Sequence, residues 1–231
     1  MHQRGLLPPD FCKELLMDYI IHILPNMFSG LGVSAKIFVL TFVLALPIGI
    51  LLAMVRISHV ALFRKLAAIY IYVMRGTPLM LQIMLIYYGL PLMLHVQVSD
   101  FPAAILAFVA NYAAYFAEIF RGGIQSIPKG QYEGAKVLGF TYRQTMWHIV
   151  LPQVVKRVIP PLGNETITLL KDTSLVYILA MNDLMRVTRA FVQRDFDTMP
   201  FLVAAVFYLV CTAILTKILT YVEKRYAVYE E

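Results

Sequence analysis

The sequence predicts an all-α integral membrane protein. Of its 231 residues 60% are hydrophobic and only 15% charged, with a mean hydropathy of +0.71, values far from those of an average soluble domain. Several apolar stretches exceed the ~20 residues a helix needs to cross a hydrocarbon core ~30 Å thick. Most charged residues fall between those stretches, as the loops of a multi-span protein require.

Helical spacing places Phe11, Leu15, Leu16, Tyr19, Ile20 and Leu24 on one face, opposite Lys13, Glu14 and Asp18, and Pro25 follows. This predicts a short interfacial helix. A first span is expected over about Gly30–Val55, ending at Arg56. The apolar region from about Lys65 to Leu92 is too long for one simple helix and is interrupted by Arg75-Gly76-Thr77-Pro78. It reads as a bent or broken span, whose freed backbone groups need protein or water to satisfy them. A third span covers about Phe101–Phe120. A polar stretch follows from Arg121 to Arg157, then spans at about Val158–Leu179 and Pro200–Tyr221.

Five spans put the termini on opposite sides, and the lysine and arginine distribution orients them. The segments after spans one, three and five carry twelve: Arg56, Arg64, Lys65, Arg121, Lys129, Lys136, Arg143, Lys156, Arg157, Lys217, Lys224 and Arg225. The opposite side carries five, namely Arg4, Lys13, Arg186, Arg189 and Arg194. The N-terminus is therefore expected outside and the C-terminus in the cytoplasm. Three regions result: an extracytoplasmic segment with an amphipathic helix over 1–28, a transmembrane domain over 29–222, and a cytoplasmic tail over 223–231.

The formal net charge of +6 does not gather in one patch, so no nucleic-acid partner is expected. The two cysteines, Cys12 and Cys211, lie in no CxxC or ligand-spaced cluster, and neither a disulfide framework nor a metal site is expected. Residues 1–10 are polar and the first long apolar run begins only near Gly30, so a cleavable secretory signal is not expected. Gly30-Leu31-Gly32-Val33-Ser34-Ala35 fits a loose dinucleotide-binding pattern, but no strand precedes it and a membrane span follows, so the match is a decoy.

The cytoplasmic stretch from Gly130 to Gln153 has its own helical pattern in Tyr132, Ala135, Val137 and Leu138, then Trp147, Ile149, Val150 and Leu151. A loop this long and this patterned has a job. A short helix bearing the small residues Gly134 and Ala135 can come close to a groove on a soluble partner, and Gly139 permits a tight turn after it. Glu133-Gly134-Ala135, then Gly139, then Ile149-Val150-Leu151-Pro152 resemble the EAA motif of ABC importer permeases, with Gly134 where alanine is usual. Further stretches resemble the polar amino-acid permeases of that class: Arg75-Gly76-Thr77-Pro78-Leu79 with Gln82, Tyr87-Tyr88-Gly89-Leu90-Pro91, Ala117-Glu118-Ile119-Phe120-Arg121-Gly122-Gly123-Ile124, and Lys171-Asp172-Thr173-Ser174-Leu175. The resemblance covers nearly all the chain from Gly30 onward.

It implies the transmembrane fold of a type I ABC importer, with a coupling loop over 121–157 in which Glu133, Gly134, Ala135, Gly139, Leu151 and Pro152 engage a separate ATPase. It also implies a second permease, identical or homologous, an extracytoplasmic amino-acid-binding protein, and a polar amino acid as cargo. The chain has no GxxxxGK[ST] loop, so ATP and Mg are expected on the ATPase and no cofactor on this chain. No catalytic residue is expected.

Ionisable residues inside spans are costly and so are candidates for the transport path. Arg75, Glu118, Asn164, Glu165, Lys171 and Asp172 are the expected path residues. Asn111, Tyr115, Glu118 and Gly122 share one helical face; Asn164, Thr168 and Lys171 form one stripe, and Glu165, Thr168 and Asp172 an overlapping one. An amino-acid zwitterion needs a cation for its carboxylate and an acceptor for its ammonium group, and Arg75 and Glu118 offer both. Equally, Glu118, Arg121 and Arg75 can pair with one another and stabilise the bundle. Lys36 is expected to snorkel outward. Trp147, Tyr70, Tyr72, Tyr87 and Tyr88 are expected as interface anchors or packing residues. An ion-gradient transporter has no use for the Glu133–Pro152 segment. A membrane enzyme is disfavoured because His2, His22, His59, His95 and His148 are scattered without HExxH spacing and no GxSxG occurs.

Overall fold

The computed structural model describes residues 9–226, with side chains from residue 17 onward except that of residue 94. All its regular structure is helical. In chain order it comprises α1 (Pro9–Ile57), α2 (Ala61–Gly76), α3 (Leu79–Met84), a π-helical turn Leu85–Gly89, α4 (Leu90–Leu94) and α5 (Asp100–Gln125). Then follow α6 (Lys129–Val137), α7 (Tyr142–Thr145), a π-helical turn Met146–Val150, α8 (Leu151–Asp172), a 3-10 segment Thr173–Leu179, α9 (Leu184–Asp195) and α10 (Met199–Tyr226).

The expected short helix ending before Pro25 is instead the first part of one 49-residue helix that contains both Pro25 and Pro47. A proline inside a helix removes one N–H donor, a loss that a long helix packed against neighbours tolerates. Most of the face predicted from Phe11 to Leu16 and the expected segment around Arg4 lie outside the described side chains, as do residues 227–231 of the expected tail.

One stripe of α1 is buried: Ile23, Met27, Gly30, Ser34, Ile37, Thr41, Ala45, Gly49 and Ala53, at the three- and four-residue steps that keep positions on one helical face. That stripe packs mainly against α5, the most enclosed of the long helices. The central core joins Phe108, Tyr112 and Phe116 of α5 to Ile37 and Ala45 of α1, Leu79 and Ile83 of α3, Leu169 of α8, and Val176 and Leu179 beyond it. The α1–α5 crossing depends on Gly49: a Cβ there would lie 2.6 Å from the Phe116 Cβ and 3.2 Å from the Ala113 carbonyl oxygen. A Cβ on Gly30 would lie 2.9 Å from the Asp183 carbonyl, which explains the glycine that the decoy motif contained.

Three described helices are long and apolar enough to cross a membrane, namely α1, α5 and α10. Helix α2 and the segment Leu79–Met93 form a fourth span if counted together, and they meet at 106°. The bend falls where Gly76-Thr77-Pro78 interrupts the apolar run. The expected fourth span is α8 followed by the 3-10 segment, and α8 is charged, carrying Lys156, Arg157, Glu165, Lys171 and Asp172. Along α10 only Pro200 and Ala204 are buried, leaving a long apolar surface outward.

Candidate transport path and coupling segment

At the bend, α2 ends with backbone carbonyls that no helical N–H can reach. Side-chain amides take their place. Gln82 Nε2 shares its two hydrogens among the Met74 carbonyl (2.9 Å), Thr77 Oγ1 (2.7 Å) and the Thr77 carbonyl (3.2 Å), while Thr77 Oγ1 donates to the Val73 carbonyl (2.8 Å). Asn111 Nδ2, reaching over from α5, donates to the Met74 carbonyl and to Gln82 Oε1, both at 2.9 Å. Gln82 and Asn111 are 7% and 4% exposed, and the bond between them is buried, whereas the bonds to Met74 and Thr77 are part-buried. Tyr70 adds a bond from its hydroxyl to the Ala110 carbonyl at 2.6 Å.

Two openings flank the bend. The first, of about 650 Å3, is lined by Arg56, Tyr72, Arg75 and Glu118 among others. It brings the expected pair Arg75 and Glu118 to one cleft. Glu118, however, is bound by Arg121 through its Nε (2.9 Å) and Nη2, so the Glu118–Arg121 half of the expected pairing is present. Arg75 instead lies over the Tyr115 ring, 5.1 Å from its centroid. The second opening, of about 470 Å3, is lined by Thr77, Pro78, Asn111, Tyr112, Tyr115, Glu165, Thr168 and Asp172. Here Tyr112 donates to Asp172 Oδ2 at 2.7 Å. Among the described residues Glu165 has no hydrogen-bond or ion-pair partner.

The two overlapping stripes of α8 therefore part company. Glu165, Thr168 and Asp172 line the second cavity, whereas Asn164 and Lys171 lie on the exposed side of α8 and line neither opening. Along the α5 stripe Asn111 is buried, Tyr115 and Glu118 are half-buried, and Gly122 is exposed. Lys36 is exposed on α1. The bridging of Gln82 to Asn111 was missed by sequence reasoning. Its signal was two amides in apolar surroundings near a Thr-Pro break.

The segment between α5 and α8 folds into a compact helical hairpin. Its first helix, α6, ends where Gly139 adopts φ 81°. The Phe140 N–H reaches the Ala135 carbonyl (3.0 Å) and the Gly139 N–H the Lys136 carbonyl (3.0 Å), satisfying carbonyls a helix end would orphan. Thr141 then opens α7 with a capping box: it accepts from the Gln144 N–H at 3.4 Å while the Gln144 side chain accepts from the Thr141 N–H at 2.9 Å. Tyr132 packs onto the cluster of Ile127, Val150, Val154 and Val158, tying the hairpin to α5 and α8. That burial raises the Tyr132 hydroxyl above its ordinary pKa, with Tyr142 adding to the effect.

The outer side of this hairpin is apolar and uncovered: Val137 is 87% exposed, Leu138 74%, Tyr142 76% and Trp147 64%. Glu133, Gly134 and Pro152 are exposed as well, and Leu151 is half-buried. Gly134 has no atom within 4 Å of where a Cβ would sit. Ala135 differs from expectation. It is only 2% exposed, because it faces the hairpin's own interior, and so is not available to a partner's groove. Trp147, expected as an interface anchor or a packing residue, is not packed within the described residues and stands on the outer face.

At the opposite end, Asp183 caps α9 by accepting from the Met185 N–H (2.9 Å) and the Arg186 N–H (3.1 Å). Burial raises its pKa to about 6 despite those bonds.

Residues 45–228 match the family described as the inner membrane component of binding-protein-dependent transport systems. The chain is 38% identical to the arginine transport system permease protein ArtQ of Bacillus subtilis (strain 168) over 203 residues, covering 87% of this chain and 93% of that one. It is 35% identical to the glutamine transport system permease protein GlnP of Escherichia coli (strain K12), covering 87% and 93%. Among solved structures, an amino acid ABC transporter determined with histidines superposes with a TM-score of 0.84 at 33% identity, covering 90% of this chain and 97% of that one. The methionine transporter MetNI in an inward-facing conformation superposes with a TM-score of 0.68 at 16% identity, covering 91% and 97%, and so shares the fold. With a family match over most of its length, the chain belongs to the inner-membrane permease components of binding-protein-dependent transport systems.

Proposed function

We propose that the chain is the membrane-spanning permease subunit of an ATP-driven importer for polar amino acids. The observation that carries this reading is the hairpin between α5 and α8, whose apolar outer face has no cover among the described residues. Large exposed apolar patches rimmed by polar groups mark interaction sites. A separate ATPase fits here: Glu133, Gly134, Gly139 and Pro152 form the approach, while Tyr132 fixes the hairpin to the bundle so that a push on it is felt by α5 and α8. ATP and Mg belong to that ATPase. A second permease, identical or homologous, would cover other outward faces, and an extracytoplasmic binding protein would deliver the cargo.

The topology follows the lysine and arginine bias, with the N-terminus outside, the C-terminus in the bacterial cytoplasm, and five spans in which the bent pair and α8 each cross. The cargo path runs along the cavities at the bend. Arg75, which lines the first cavity and lies over the Tyr115 ring that lines the second, offers a guanidinium to a carboxylate, and Glu165 and Asp172, with Tyr115 and Thr168 beside them, offer acceptors to an ammonium group. Glu118 acts with Arg121 at the neighbouring cleft. Asn164 and Lys171, on the other side of α8, would meet the path only through the second permease.

The test is reconstitution with the ATPase into proteoliposomes, with uptake and ATP hydrolysis screened across the twenty amino acids. ATP-dependent uptake of a polar amino acid is expected. Uptake that continues without ATP would refute the reading.

A further inference from the structure

We propose that Gln82 and Asn111 form an amide latch that positions the transport path, with Gln82 acting as a positioning residue through Asn111. The proposal rests on the cavity beside the bend being that path. Met74 and Thr77 present backbone carbonyls with no helical donor, at a bend of 106°. Met74 is half-buried and Thr77 exposed, but the amides that meet them are buried, and a buried amide left unpaired is expensive. Two side-chain amides supply every donor. Both hydrogens of Asn111 Nδ2 are committed, one to the Met74 carbonyl and one to Gln82 Oε1.

Two consequences follow. The amide plane of Asn111 is fixed, because a flipped amide would set its oxygen against two acceptors. Its Oδ1 has no donor among the described residues, on a side chain that lines the 470 Å3 cavity together with Thr77, Glu165 and Asp172. It is therefore a preset acceptor for an ammonium group. The latch also joins the bend to α5, since Asn111 belongs to α5 and Met74 to α2. The wall made by Thr77 and Pro78 is thus held in register with the helix that continues to Glu118 and the coupling hairpin. Movement of α5 shifts that wall instead of sliding past it.

The experiment uses the full transporter in proteoliposomes, with Cys12→Ser and Cys211→Ser and a single thiol at Met80→Cys, a position on the cavity wall. The rate of thiol labelling by a charged methanethiosulfonate reports how firmly the wall is held. Gln82→Leu and Asn111→Leu are each expected to raise it at least threefold, with the double variant no faster than either single, as partners in one network behave. Gln82→Glu keeps the size and the acceptor for Asn111 but removes the donor hydrogens. It should match Gln82→Leu, which separates loss of donation from loss of volume. Rates within threefold of the parent in all these variants overturn the latch.

In the same liposomes without Met80→Cys, the concentrations of L-arginine and L-glutamine giving half-maximal stimulation of ATP hydrolysis should rise about tenfold with maximal rate retained. A general folding defect would lower the maximum instead. If neither the parent nor any variant responds to any amino acid, the importer reading fails, while the labelling rates still decide the latch.

Discussion

The bend between α2 and α3 and the hairpin between α5 and α8 both interrupt long helices, and they are finished in opposite ways. At the bend the Val73, Met74 and Thr77 carbonyls are met from within the chain, by Thr77, Gln82 and Asn111. The hairpin's backbone is equally well closed, by the Gly139 turn and the Thr141 capping box, but its side chains Val137, Leu138, Tyr142 and Trp147 point away from the chain. A break bridged by the chain's own amides is a self-contained device, whereas an exposed apolar hairpin is half of an interface.

The sharpest way to break this contrast is at Gly139. Its φ of 81° suits glycine, and a substituent there would face open space within the chain. Gly139→Glu should therefore leave membrane insertion intact and reduce amino-acid-stimulated ATP hydrolysis by about tenfold or more, through turn strain and a charge set on the docking face. Full stimulation would place the ATPase elsewhere. Next in size is Val137→Ser: thermal stability of the isolated permease should change by less than about 0.5 kcal/mol, while affinity for the ATPase subunit drops severalfold in a pull-down titration. A similar loss in both measurements would mean that the hairpin serves the fold alone.

Glu118→Ala sharpens the other half of the contrast. Uptake should weaken severalfold while ATPase assembly survives, and unchanged uptake would mark Glu118–Arg121 as a stabilising pair only. The smallest effect concerns Asp183, whose folded pKa of about 6 lies above its ordinary value of 3.8. The folded chain then holds the proton more tightly than the unfolded one, so the cost of ionising Asp183 is absent below about pH 4, grows up to about pH 6 and is constant above. The melting temperature of the native chain relative to Asp183→Asn should therefore fall between pH 4 and pH 7. A rise over that window would reverse the assigned sign.

Much of this arrangement was legible in the sequence. Thr77-Pro78 marked the bend, since a proline cannot continue a helix's hydrogen bonds and restricts the residue before it. Gly139 marked the turn that ends α6. Helical phase put Glu165, Thr168 and Asp172 on one stripe, but phase alone could not choose between that stripe and Asn164–Thr168–Lys171; the neighbours Tyr112 and Thr77 decide it. For the same reason Ala135, small enough for docking, was indistinguishable from Ala135 small enough to bury. Pro25 misled because its local penalty was weighed without the packing that carries α1 through it. The Gln82–Asn111 bridge joins residues on helices distant in sequence, and no local pattern specifies such a contact.

The central claim is that the hairpin between α5 and α8 seats on an ATPase. The most direct measurement places a cysteine at Gly134 in a background free of Cys12 and Cys211, and maps disulfide crosslinks in native membranes. A crosslink to a nucleotide-hydrolysing subunit that changes in yield when ATP is added is the predicted result. A thiol at Gly134 that reacts only from the extracytoplasmic side, or that joins no ATP-hydrolysing partner, would contradict the account.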